Sequence, residues 1–401
     1  MASRLAGILL VAGCPLMVAG ATREPPWGER EQLTFIREHW KSPLSPQGEP
    51  PAAFAPLEAS LGPESCGACH PAQFADWTGS IHAASMGPGV AGQLVEMHRS
   101  DPTQAQTCYG CHAPLAEQRP GHGGYDSGLT ARGIVCASCH VRRWERFGPP
   151  RRDGSLESTA ARASLPHNGV SRTPAFLRSE FCRDCHQFGP DGLALNGKLV
   201  QNTFEEWKAS PAAAAGTQCQ DCHMPDRRHL WRGIHDPETV KGALDFAVAR
   251  DDQGITLIIT NARGGHMLPT YVTPRLRVSG EMLDAAGEPV AGTRRESVIG
   301  RVVTLDLSRE LQDSRLAPGR SARFRYDAAR PGGGRVRLRV VVEPDHFYTR
   351  FFEAVLERGA GAGEAEISRA LDATRRSVFT VYEHDAPLRD PRDVRAGRDP
   401  Y

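Results

Sequence analysis

Ten of the chain's eleven cysteines fall into five pairs of one form, Cys-x-x-Cys followed at once by His. They are Cys66, Cys69 and His70; Cys108, Cys111 and His112; Cys136, Cys139 and His140; Cys182, Cys185 and His186; and Cys219, Cys222 and His223. At this cysteine and histidine content, chance would place about 0.01 such pentapeptides in the chain. Two cysteines separated by two residues can reach the two vinyl groups of one haem as thioethers. The His that follows is then set beneath the iron as its proximal ligand. Zinc sites also use paired cysteines, but expect a second pair or a spaced His pair at a set distance. Disulfides would suit an exported chain, but do not require a His after every pair. A thioredoxin-like redox pair would occur once rather than five times. Covalently attached haem c, five copies, is the reading that uses every one of these residues.

Each iron has a second axial position, and its occupant decides between carrier and enzyme. A second His gives a low-spin, low-potential carrier, Met raises the potential, and an empty position admits a substrate. The candidates for this distal position are His82, His122, His167, His229, His235 and His266. His82 leads, one short helix beyond the first motif. His167 lies in the irregular stretch Leu165-Pro-His-Asn-Gly, and His229 and His235 closely follow the fifth motif. His266 sits in Gly264-Gly-His-Met-Leu-Pro269, where two glycines let the backbone approach a flat surface. We therefore expect His266 to reach an iron across a domain boundary. His122, in Pro120-Gly-His-Gly-Gly124, is similar but weaker. His39, His98, His346 and His384 read as ordinary surface or core residues, and Met86, Met97, Met224 and Met267 as packing.

The elements that must position these residues divide the chain. Residues 1–21 read as an export signal: Arg4, an apolar run from Leu5 to Val18, then Ala19-Gly20-Ala21, with cleavage after Ala21. Val11-Ala12-Gly13-Cys14 offers a rival, a lipoprotein box that would make Cys14 a lipid anchor in the outer membrane. Residues 22–60 read as an extended surface arm with one amphipathic piece, Leu33 to Trp40. Residues 61–242 carry all five motifs on too little polypeptide for an ordinary core, so haem must supply much of the apolar contact. Period-2 alternation at Leu244/Phe246/Val248, Ile255/Leu257/Ile259, Leu276/Val278, Val303/Leu305/Leu307, Ala322/Phe324/Tyr326 and Val336/Leu338/Val340 predicts a small antiparallel β-sandwich over 243–346. Residues 347–401 should form two helices, near Phe347–Arg358 and Glu364–Val378, and a loose tail. The fold class is thus α+β and multidomain, a loop-rich, mostly helical haem domain followed by a sandwich.

An internal repeat runs through the motif-bearing part. Phe74-Ala-Asp-Trp77-Thr-Gly-Ser80-Ile-His82 after the first motif recurs as Phe204-Glu-Glu-Trp207-Lys-Ala-Ser210-Pro-Ala212 after the fourth. Motifs 1 and 2 and motifs 4 and 5 therefore read as two copies of one two-haem unit with the third between them. Ala212 stands where His82 stood, so an open haem could hide in the second copy. The formal net charge is +1, which gives no reason to expect nucleic acid as partner. Arginine far outnumbers lysine, which appears only at 41, 198, 208 and 241. Its spread along the whole chain reads as compositional bias more than as a set of haem-propionate partners.

Trp77-Thr-Gly-Ser80-Ile-His82, His112-Ala-Pro114-Leu115, Glu206-Trp207-Lys-Ala-Ser210 and Cys222-His223-Met-Pro225 resemble the multihaem cytochromes c related to the tetrahaem electron carrier of ammonia oxidisers. Hydroxylamine oxidoreductase and cytochrome c nitrite reductase are more distant relatives of that group. The resemblance covers roughly residues 61–270. It implies close parallel and perpendicular haem pairs, mostly with two His ligands each, and it puts His82 at a distal-ligand position. No Cys-x-x-Cys-Lys variant of the nitrite reductase kind is present. The expected function is electron transfer through five closely spaced haems in the periplasm or at the cell surface. Partners would be other cytochromes or quinol-linked donors. Alternatives are an enzyme acting on a small nitrogen or sulfur oxyanion at one open haem, and a subunit of a conductive filament, that is, a homo-oligomer.

Overall fold

The computed structural model describes residues 27–156, 164–251, 253–327 and 334–388. The export signal, Cys14 and the C-terminal tail lie outside the described residues. Among the described residues no helix is long and apolar enough to cross a membrane.

The motifs form single helical turns or end longer helices: Pro102–His112, Cys136–His140, Arg183–His186 and Cys219–His223. In the first motif the His70 amide donates to the Cys66 carbonyl at 2.9 Å, closing the same turn. Positions i, i+3 and i+4 of a helix share one face. Both sulfurs and the imidazole therefore leave the backbone on one side, as a single flat ligand requires. Around these turns the cores are small. One gathers Leu44, Trp77, Leu115, Leu129, Val135, Ala137 and Val141; another Met86, Leu94, Ala105, Tyr109 and Ala113.

The arm is more than an extended strap. It forms the helix Glu29–His39, whose Ile36 and His39 are buried. Phe35 packs on Phe147 and Phe176, with ring centroids 5.5 and 6.2 Å apart. Residues 35, 36 and 39 share one face, so the helix is held by burying that stripe near the third motif.

Two sheets make the sandwich. One has five strands in the order Glu310–Asp313, Arg295–Val303, Arg275–Leu283, Arg335–Glu343 and Phe379–Pro387, with antiparallel neighbours. The other orders Ser321–Asp327, Gly254–Asn261 and Leu244–Asp251. Their inner faces share one core that includes Ile255, Leu257, Ile259, Leu276, Val278, Val336, Leu338 and Val340. Two expectations need correction. Leu305 and Leu307 are not strand residues. The strand stops at Val303, and the Asp306 carboxylate accepts from both the amide and the hydroxyl of Ser308 to make a turn. The C-terminal part also does not end in helices alone. After His346–Arg358 and Glu364–Arg376, the strand Phe379–Pro387 returns to the sheet.

Of the contacts that join the halves, two lie away from the motif histidines. The C-terminal helices lie on the helix Pro88–Ser100 at Gly89 and Gly92, where an added Cβ would stand 2.7 Å from Phe352 Cζ and 2.9 Å from Ile367 Cδ1. The second contact is polar. Arg301, its side chain 1 % exposed, pairs with Glu310 at 2.7 Å. It also donates to the carbonyls of Leu195, Lys198 and Leu199 in the hairpin that follows the fourth motif. Some of the arginines thus hold the sandwich to the motif-bearing half.

Candidate metal centres

Three motif histidines each face a second imidazole. His186 faces His82 with ring centroids 6.3 Å apart, His140 faces His229 at 6.2 Å, and His223 faces His266 at 6.3 Å. A metal–imidazole bond of about 2 Å plus about 1.1 Å from nitrogen to ring centre, doubled, gives about 6.2 Å. These rings stand at the separation that fits one ion between them. Burial pulls His82 down to about 3 and His186 and His140 to about 4, and lowers His266. All four are neutral at physiological pH, the form that binds a metal.

Hydrogen bonds sort the histidines further. Nδ1 of His112, His140 and His223 is hydrogen-bonded to the carbonyl of Ser85, Phe147 and Arg232, at 2.7, 2.8 and 2.6 Å. Nδ1 of His186 meets the Tyr271 hydroxyl at 2.9 Å, and that of His266 its neighbour's carbonyl at 2.8 Å. Nδ1 of His167 meets the Gly169 carbonyl at 3.1 Å. A partner on Nδ1 fixes the tautomer that leaves Nε2 free for a metal. His39, His98 and His235 do the opposite. Their Nε2 is taken by the Cys139 carbonyl, the Tyr109 hydroxyl and the Asp345 carboxylate, at 2.9, 2.9 and 3.0 Å. His235 is therefore engaged away from the motifs. Nδ1 of His82 and of His229 is buried without a partner, a costly state for an imidazole nitrogen unless another group completes it. The residues fit an iron-bearing macrocycle held between facing imidazoles.

The two remaining motif histidines, His70 and His112, have no imidazole at this spacing among the described residues. His167 sits on a strained turn, with φ +42°, and lines a cavity of about 240 Å³ with Phe54, Trp144 and Arg146. Arg146 lies close enough to Cys66 to act on its charge, so this cavity adjoins the first motif. His122 is half-buried in its glycine-rich loop, and its amide donates to the Arg119 carbonyl at 3.2 Å.

The repeat has a physical basis, but its first copy joins different motifs from those its sequence order suggests. The Trp77 indole donates to the Ile134 carbonyl at 2.8 Å, and Trp207 donates to Thr217 at 2.9 Å. Each acceptor lies two residues before a motif, the third and the fifth. Ser80 and Ser210 each cap the following turn, accepting from Ala83 and Ala213 at 3.3 Å. The thiols agree: Cys66 lies against Cys136, and Cys182 against Cys219. The structural pairs are therefore motifs 1 with 3 and 4 with 5. The second motif is inserted within the first pair and meets the fourth through Cys111 and Cys185. Cys139 of the third motif lies near both Cys182 and Cys185 of the fourth.

Ala212 lies beside the glycine loop that carries His266. A Cβ on Gly265 would stand 3.4 Å from the Ala212 Cβ and 3.6 Å from Trp207 Cδ1. The small side chain admits the glycine loop that carries His266 to His223. Sequence reasoning missed Tyr271 and Trp231. The Trp231 ring packs 4.5 Å from His82 and 5.2 Å from His229, between candidate ligands of two centres. A Trp between the two candidate histidines His229 and His235 was the available signal. Tyr271 offered none beyond its closeness to His266.

A protein family described as cytochrome c554 and c-prime matches residues 65–141, the stretch with the first three motifs. Among solved structures the chain is similar to a penta-haem cytochrome c552 from Thermochromatium tepidum. The TM-score is 0.57 and the identity 18 %, over 83 % of this chain and 100 % of that chain. At that identity the likeness is one of fold. No curated protein matches the chain. The family model thus covers three of the five motifs, and the solved structure shares the fold.

Proposed function

We propose that this chain carries five covalently attached haems and passes electrons along them between redox proteins outside the cytoplasm. The observation that carries this reading is the set of three imidazole pairs at 6.2–6.3 Å, each made of one motif His and one distant His. Capping an iron on both sides leaves no position for a substrate, which suits a carrier. In this assignment His186 and His82 hold the fourth haem, His140 and His229 the third, and His223 and His266 the fifth. His70 and His167 hold the first, on the strength of the cavity beside the first motif. The haems supply the electron-accepting irons. The chain fixes their order, their tautomers and their exclusion from water. Neighbouring thiols give a row 1–3–4–5, with the second haem beside the fourth. Export through the N-terminal signal, or anchoring through lipid on Cys14, would place this row in the periplasm or at the outer membrane. The donors would be other cytochromes or quinol-linked proteins.

Stepwise reductive titration tests the proposal. All five haems should equilibrate with one another at every step. Haems that hold different charge states without exchanging electrons would sink it. A second reading is favoured at one position: His112 faces no assigned imidazole, with His122 the unassigned candidate. An open haem there could act on a small nitrogen or sulfur oxyanion. Electron paramagnetic resonance of the oxidised protein separates the two, since an open haem gives a high-spin ferric signal and a fully ligated set gives low-spin signals alone.

A further inference from the structure

We propose that Tyr271 is a positioning residue that raises the potential of the fourth haem above those of the third and fifth, so that electrons collect at the centre where the second haem joins the row. This rests on the reading of His186 and His82 as that haem's ligands. An imidazole bound to iron through Nε2 keeps its proton on Nδ1 and gives it to whatever acceptor stands there. A stronger acceptor makes the ring more anionic and a better donor to the metal, which favours ferric iron.

The motif histidines differ in this acceptor. Nδ1 of His112, His140 and His223 meets the backbone carbonyl of Ser85, Phe147 and Arg232. Nδ1 of His186 meets a phenol oxygen, that of Tyr271, at 2.9 Å. A phenol oxygen shares a lone pair with its ring and accepts less strongly than a peptide carbonyl. The same oxygen also lies 3.5 Å from the Gln201 amide nitrogen, which donates to the Cys185 carbonyl in the fourth motif at 3.0 Å. The distal side points the same way. His82 Nδ1 is buried with no protein partner among the described residues. At the fifth motif both imidazoles meet carbonyls, His223 that of Arg232 and His266 that of Met267. The fourth centre thus has the less anionic pair of ligands.

The phenol is presented from a fixed support. The preceding residue, Thr270, donates its hydroxyl to Glu206 at 2.7 Å, and its carbonyl accepts from Arg315 at 2.8 Å. Glu206 and Arg315 are paired with each other at 2.9 Å, with side chains 8 % and 4 % exposed. Thr270 also meets Thr203 on the helix Thr203–Lys208 at 2.8 Å. These bonds tie the peptide before Tyr271 to the segment that follows the fourth motif. Such a second layer of contacts is what holds a tuning group at one distance from its ligand.

Position gives the higher potential its consequence. The fourth motif lies beside three others: Cys182 against Cys219 of the fifth, Cys185 against Cys111 of the second, and both near Cys139 of the third. In the balanced step one electron leaves a ferrous neighbour, which becomes ferric, and the ferric fourth centre becomes ferrous. The proton on His186 Nδ1 stays where it is. Electrons that enter at either end of the row therefore come to rest first at its junction.

The test is a redox titration of the holoprotein followed by electron paramagnetic resonance. Alanine at His82, His229 or His266 marks the step of the fourth, third or fifth haem by turning that haem high-spin. In the wild type the fourth haem should be reduced before the third and the fifth. Tyr271→Phe should move that step alone to higher potential, by roughly tenfold in its reduction equilibrium constant, the scale of one hydrogen bond to a charged group. Incorporation of 3-fluorotyrosine keeps the packing and weakens the phenol as an acceptor. It should move the same step in the same direction, and it keeps the test open if Tyr271→Phe does not fold. A merely structural role for Tyr271 would leave the fluorinated protein unshifted. A fourth haem reduced after either neighbour, or a step that stays put or falls when the acceptor is weakened, would overturn the proposal. Failure of the ligand reading is separate and shows as a His82→Ala protein with low-spin signals alone.

Discussion

Replacing His266 by alanine should turn one low-spin haem high-spin and loosen the sandwich from the motif-bearing half. His266 is half-buried, its ring stands 6.3 Å from that of His223, and its Nδ1 is held by a backbone carbonyl. The loop is fixed from both sides. Asn261 Nδ2 donates to the His266 carbonyl at 2.9 Å, and Gly265 packs close to Ala212. The alanine variant loses a ligand bond and opens a cavity between domains, a combination expected to cost about 4 kcal/mol or more. The electron paramagnetic resonance spectrum should gain one high-spin ferric centre, and the melting temperature should fall. Added imidazole should restore the low-spin signal without restoring the melting temperature. Unchanged low-spin spectra would mean that His266 ligates nothing.

The second large effect is expected at the third motif. Serine at both Cys136 and Cys139 should reduce the haem content by one and destabilise the whole motif-bearing half. His140 and His229 are held apart by 6.2 Å, and both are buried enough that burial lowers their basicity. Phe176 stacks on His140 at 5.2 Å, and the arm helix packs on Phe176 in turn. Without the group between the imidazoles, the interior beside the arm keeps polar nitrogens with no partner and loses its main apolar filler. Such a loss belongs with the removal of a structural metal, above about 4 kcal/mol. Haem content, thermal unfolding and protease sensitivity of the arm report it. In the proposed row 1–3–4–5 the third haem also links the first to the rest. The variant should therefore reduce in two separate populations where the wild type reduces as one.

The motif turns were legible in the sequence because they are local: five residues within one helical turn contain each. The approach of His266 to the motif-bearing half was legible for a similar reason, since two adjacent glycines mark a close backbone approach. The partner of each distal His was not. His82 follows the first motif but faces the fourth, because a short helix carries it across the fold. The repeat misled for the same reason. Trp77 reaches past an entire inserted motif to hold the peptide before the third, and nothing in the Trp-x-x-Ser frame encodes that distance. In the sandwich, the inner-face alternation was plain at Ile255, Leu257 and Ile259. The last strand, Phe379–Pro387, was hidden because it is an edge strand. Its Glu383 and Asp385 face Arg339 and Arg337 across the ladder, so it reads as polar. Tyr271 was invisible because its hydrogen bond to His186 joins residues from separate segments.

The central claim is five covalent haems on ten cysteines, and the intact mass of the mature protein under denaturing conditions tests it most directly. The account predicts the polypeptide mass plus five haems, with thioether-linked peptides at all five motifs. Fewer than five, or a mass showing cysteines paired as disulfides, would contradict it.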